Sequence, residues 1–287
     1  MQDKLNRLDD IPDAFTLKVE GSLLQLFKLL LIALSLDQNS GNVVRSNANI
    51  IAINTTLNRY RDLFYDSDYV KAVKDFSKEF TKQKEINDLL LRGLGYATTQ
   101  TNLAILASDF VFTSTRRRAI ELLIGDANVE SRFFSIIRQT LLDSVNTETP
   151  YTTMVSMLSE VVLGNEKRDG QLLNWSKQVA HDSFALSDRA YSTSIGKELG
   201  VEWWKYAGGL IQDRREFCVD KNGKFYHTSE IELWPTTEGD WAGRMPNTNS
   251  STIFEKVGGF KCNHSLVFVS EAIVPQADLD RIKKTKT

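Results

Sequence analysis

Cysteine is almost absent from this chain: Cys218 and Cys262 are the only two in 287 residues. So few thiols exclude a disulfide-dense scaffold and make a reducing compartment the expectation. Blocks of one charge are missing as well. The net charge is −2, and the most basic run is Arg116-Arg117-Arg118. That leaves no electrostatic footprint of a nucleic-acid binder, and the run reads as a solvated helix face or start. Long apolar runs are also lacking. The most apolar stretch, residues 23–36, is interrupted by Gln25 and Lys28. Its unbroken part, residues 29–34, falls far below the roughly 18 residues of a membrane span. No span is expected, and the stretch reads as a buried helix. Residues 1–13 are polar and acidic, which does not fit a secretory signal.

What is present changes character near residue 200. Before it the apolar spacing is helical almost throughout. Residues 15–36 are apolar on most sides and are expected deep in a bundle. Residues 38–42 ("QNSGN") break the pattern, and a second helix carries Val44, Ile50, Ile51, Leu57 and Phe64. Ser67 is the expected N-cap of a third, with Val70, Val73, Phe76 and Phe80 at spacings of three and four. Further helices are predicted over residues 101–112, 116–124, 130–144 and 152–163. A long one covers residues 169–199, with Leu172, Trp175, Val179, Leu186 and Ala190 on one face and Ser, Asp, Gln and Lys on the other.

From residue 201 the texture is that of short strands. "VEWWKYAGG" is aromatic and partly alternating. Asn222-Gly223 marks a tight turn, with residues 224–227 as the returning strand. "TNSSTIFEKVGG" and "HSLVFVSEAIVP" read as two more strands. The expected class is α+β: a helical body over residues 1–167, a connecting helix over 168–199, and a small β-rich module over 200–287.

The module carries both cysteines and two of the three histidines. Cys218, His227, Cys262 and His264 offer two thiolates and two imidazoles, a tetrahedral set suited to Zn²⁺. The Cys-x-His end resembles half of a zinc knuckle, whereas eight residues separate Cys218 from His227 rather than two to four. The alternatives are two buried thiols with two hydrogen-bonded histidines steadying hairpins, or a Cys218–Cys262 disulfide. A catalytic Cys–His pair needs an oriented base, and nothing marks an oxyanion hole. A metal-dependent nuclease needs further ligands after the hairpin, where only "QADLDRIKKTKT" remains. Ser192–Ser194 and Glu230–Glu232 mimic elements of ADP-ribosyltransferases, but the serines fall in a helical pattern.

The order of corners carries a resemblance. Tyr206, Gly208 and Gly209 are followed by Asp213, Arg214, Arg215, Phe217 and Cys218, then by Gly223-Lys224. Gly258, Gly259, Cys262 and His264 follow, and Pro275 ends the last strand; Asp182 lies on the preceding helix. Residues 168–275 thereby resemble the C-terminal module of bacteriophage minor head proteins, the Mu F-like or head morphogenesis group. Asn263 departs from the arginine usual there. The resemblance implies a non-enzymatic virion protein, made in the host cytoplasm, that assists head assembly or genome packaging and delivery. Its implied partners are the portal or major capsid protein, with packaged DNA as a further contact. It implies a structural corner at Tyr206, Gly208, Gly209, Asp213, Arg215, Gly258 and Gly259. Trp203, Trp204 and Trp234 would serve either as interface aromatics or as core.

Overall fold

Helix α1 begins far ahead of the apolar stretch expected to form it. In the computed structural model, which describes residues 2–209 and 215–285, it spans Gln2–Ala33 with Pro12 inside. Leu5, Leu8, Phe15, Val19, Leu23, Leu26 and Leu30 are buried along it at helical spacing. That stripe carries the acidic start into the helix. Helices α2 (Asn47–Tyr65), α3 (Asp68–Arg92) and α4 (Thr98–Ile124) follow. α4 runs unbroken where two helices were expected. A short turn, α5 (Asp126–Val129), passes through a π-turn at Glu130–Phe134 into α6 (Ser135–Asn146). Then come α7 (Tyr151–Val162) and α8 (Gln171–Glu198). No helix among the described residues is long and apolar enough to cross a membrane.

The chain forms two compact units, residues 1–12, 78–118 and 181–287, and residues 13–77 and 119–180. The division cuts through α1, α3, α4 and α8 rather than falling at residue 167 or 200. The physical reason is that the C-terminal segments share a core with helical halves instead of closing on themselves.

The unit of residues 13–77 and 119–180 has an aromatic core. Phe64 lies 5.4 Å from the rings of Tyr69 and Phe134 and 6.0 Å from Phe133. The predicted break at residues 38–42 is a minimal hairpin of β1 (Gln38–Asn39) and β2 (Asn42–Val43). Ser40 and Gly41 both take positive φ, as this tight turn requires. Asn49 fastens it to α2, accepting from Asp37 N and donating to the Asp37 and Val44 carbonyls. Ile50 and Ile51, expected inward, are exposed; Ile53, Leu57, Tyr60 and Phe64 form the buried face. A second two-residue hairpin pairs β3 (Gly164–Asn165) with β4 (Arg168–Asp169). Ser67 does precede α3, but its hydroxyl is buried without a hydrogen-bond partner among the described residues. The Gln25 side chain caps the helix instead, accepting from Asp68 N at 2.9 Å.

In the other unit the polar face of α8 is buried. Asp188 accepts from Gln83 and Asn87 and pairs with Lys4 Nζ at 3.2 Å; Lys4 also donates to Ser192. The face of Ser, Asp, Gln and Lys therefore contributes to a polar core in this unit.

After residue 200 the chain is less β-rich than its pattern suggested. One antiparallel sheet has the order β6-β5-β7, built from β5 (Trp203–Ala207), β6 (Phe225–His227) and β7 (Ser265–Phe268). Between these strands lie α9 (Glu216–Lys221), α10 (Thr228–Thr237) and α11 (Ile253–Lys256), and α12 (Gln276–Thr285) follows them. Residues 253–256, expected as strand, are a helical turn. Asn222-Gly223 does make a tight turn: Asn222 is at φ −60, ψ 131, Gly223 is at φ +80, and Lys224 N donates to Lys221 O. That is a type II turn leaving a helix rather than a hairpin between strands. Trp203, Trp204 and Trp234 are buried, so they belong to the core.

Candidate metal centre

Three elements meet where the module's two thiols lie. Cys218 is on α9, whose start and end carry Glu216 and Lys221 in the sense the helix dipole favours. Lys221 is itself buried, pairing with Glu238 at 2.8 Å over the rings of Phe217 and Trp234. Tyr206 is on the central strand β5. Cys262 and His264 sit just before β7, which pairs Tyr206 with Leu266.

The two corners lie close together. Cys218 Sγ and Cys262 Sγ are 3.8 Å apart, and His264 Nδ1 is 3.7 Å from Cys262 Sγ. The ligand atoms of Cys218, Cys262 and His264 all lie within 4.8 Å of one another, and all three residues are buried. This group has the geometry to hold a metal ion. The Tyr206 hydroxyl donates to Cys218 Sγ at 3.3 Å and lies 4.0 Å from Cys262 Sγ. Its ring stacks on His264 at 5.0 Å between centroids. His264 Nε2 has no hydrogen-bond partner among the described residues.

His227 does not join this group. Its Nδ1 accepts from Ser229 N, and its own backbone N–H donates to Glu230, a reciprocal cap on α10. The histidine spaced too far from Cys218 is thus occupied by helix capping, a role that "HTSE" already spells out with histidine in the cap position.

Close approach explains the glycines. A Cβ on Gly258, which has φ +73, would stand 2.1 Å from Cys262 Sγ and 3.1 Å from Tyr206 Oη. Only glycine leaves that space beside sulfur and phenol open. A Cβ on Gly208 would meet His264 Cα at 2.7 Å, and one on Gly259 would meet the Gly243 carbonyl oxygen at 1.9 Å. Gly209 has no atom near its Cβ position, and no steric demand explains it. Asp213 and Arg214 lie outside the described residues.

Two arginines hold the corner by its backbone. Arg215, at the start of α9, donates to the Gly258 and Phe260 carbonyls, tying the helix of one cysteine to the loop of the other. Arg189, buried on α8, donates to the carbonyls of Glu255 and Cys262. Asp182 accepts from Lys261 N at 2.7 Å. Arg189 carried no signal in the sequence, because an arginine on a helix face with Ser and Asp reads as solvated.

The two thiols are unequal. The bond between them, with burial added, pushes the Cys218 thiol well up. The same bond, aided by His264 and Arg189, holds Cys262 below the ordinary thiol value against its burial. Burial drives the Tyr206 phenol up. A thiolate is the form that ligates metals.

Protein-family models, curated proteins and solved structures were compared with this chain, and none matches it, so a functional reading rests on its residues and their geometry.

Proposed function

We propose that the chain is a non-catalytic structural protein of a bacteriophage head, in which the Cys/His corner ties α9 to the loop before β7. The observation that carries this reading is the work done by the residues that bear the resemblance. Gly208, Gly258 and Gly259 allow close packing, Arg215 clamps two carbonyls, Asp182 caps a loop, and Cys218, Cys262 and His264 are buried together. Each joins segments distant in the chain. A hydrolytic centre keeps an open coordination position, and burial of all three candidate ligands favours a structural role instead. Ser192, of the Ser-Thr-Ser triplet on α8, is bonded to Lys4 within the polar core, which does not favour a nicotinamide pocket.

In this reading the group takes Zn²⁺, which suits two sulfurs and an imidazole in a closed site. Portal or major capsid protein is the partner. The test is fractionation of lysates from cells producing the phage. The chain is expected to band with DNA-filled or empty heads and to remain with them through a salt wash. Its recovery only in particle-free fractions would sink the proposal. So would cleavage of duplex DNA by the purified chain with Mg²⁺, abolished in His264→Ala.

A further inference from the structure

The fourth donor expected for a tetrahedral site, His227, is occupied elsewhere, and Tyr206 stands where a donor is needed. Zn–S bonds of about 2.3 Å at tetrahedral angles set two sulfurs about 3.8 Å apart, and a sulfur and a nitrogen about 3.6 Å apart. The observed separations are 3.8 Å for Cys218 and Cys262, and 3.7 Å for Cys262 and His264 Nδ1. An oxygen donor at about 2.0 Å would lie about 3.5 Å from each sulfur. Tyr206 Oη is 3.3 Å from one and 4.0 Å from the other.

From this we infer that Tyr206 Oη is the fourth ligand of a Cys218–Cys262–His264–Tyr206 metal site. The inference rests on the metal reading given above and puts Tyr206 in the place expected for His227. Three further observations support it. Gly258 leaves open the space that borders both Cys262 Sγ and Tyr206 Oη. The stack of His264 on Tyr206 fixes the two rings against each other. The Arg189 guanidinium is buried with two carbonyls as hydrogen-bond partners, which places a cation beside Cys262. Two thiolates and a phenolate around Zn²⁺ carry one net negative charge, which that cation offsets. On binding, both cysteines and Tyr206 enter the site in their anionic forms, and any protons they carry pass to solvent as the Zn–S and Zn–O bonds form.

The experiment uses the full-length chain, purified with a chelator and then titrated with Zn²⁺ and with Co²⁺ as a spectroscopic substitute. Wild type is expected to take up one metal ion per chain, with a phenolate difference signal in the near ultraviolet and a tetrahedral cobalt spectrum. Tyr206→Phe is expected to lose the phenolate signal and bind at least about tenfold more weakly. No metal uptake by the wild type would overturn the metal reading itself, and this inference with it. Uptake with no phenolate signal in the wild type would overturn the role of Tyr206 alone, leaving a three-residue site. That measurement needs no variant, so a misfolded Tyr206→Phe protein would not shield the inference.

Discussion

The two compact units each hold a ring cluster, around Phe64 in one and around Tyr206, Phe217 and Trp234 in the other, but the second also buries the charged side chains of Lys4, Asp188, Arg189 and Lys221. Around Phe64 the core is a cluster of rings, Tyr60, Tyr69, Phe133 and Phe134, whose attraction is largely non-directional. Around Tyr206 and Asp188 the interior adds polar groups to its rings: two thiols, two arginines, a Lys–Asp pair and the amides that satisfy them. A ring cluster tolerates change of shape at modest cost, whereas a buried polar group that loses its partner keeps its desolvation penalty. The two units should therefore respond differently to substitutions of similar size.

The largest effect is expected from Phe64→Ala, about 3–5 kcal/mol of stability lost in denaturant unfolding. Phe64→Leu should recover most of it, because the remaining rings can close on leucine. Failure of leucine to recover would show that ring geometry, not volume, holds that core.

Next in size is Asp188→Asn, which removes one charge and little volume. Lys4 then stays buried without its anion, and a loss of about 2–4 kcal/mol is expected. A loss below 1 kcal/mol would mean that Lys4 reaches solvent, and the contrast between the units would collapse.

Alkaline pH should weaken both cores through their phenols. Burial raises Tyr60, Tyr69 and Tyr206 above the ordinary value of 10.0. A group raised in the folded state stabilises fully below its unfolded pKa and loses that contribution as pH climbs towards the folded one. The contribution of these phenols should thus be flat up to about pH 10 and fall above it. Tyr60→Phe sharpens the point, since the Tyr60 hydroxyl has no partner among the described residues. It is expected to gain up to about 1 kcal/mol at neutral pH and to flatten the alkaline fall. Tyr69→Phe should instead lose about 1 kcal/mol, because Tyr69 Oη donates to the Leu123 carbonyl.

The smallest effects concern the start of α3. Ser67→Ala should cost nothing measurable, and Gln25→Ala about 0.5–1 kcal/mol, both read from thermal or denaturant melts. The reverse ranking would mean that the serine caps the helix in solution.

Much of the α+β plan was legible because periodicity reports which face of an element is buried. Val70, Val73, Phe76 and Phe80 mark α3, and "WWKYA" marks β5. Asn222-Gly223 marks a turn whatever precedes it. Residues 216–221 and 253–256 escaped notice because a single helical turn is too short to show a period. In the corner, Cys218, Cys262 and His264 stood out by rarity. Tyr206 was noticed as part of a motif, with nothing to tell that its hydroxyl faces the sulfurs.

By itself the sequence determined the helical body, the strands at residues 203 and 265, that no helix among the described residues is long and apolar enough to cross a membrane, and which residues were scarce enough to form a special corner. These follow from local spacing and composition, which act along the chain. Only the tertiary structure decided that His227 caps a helix, that Asp188 and Arg189 are interior, and that Tyr206 stands over two thiols. Such assignments depend on which distant segments exclude water together, and no local pattern encodes that.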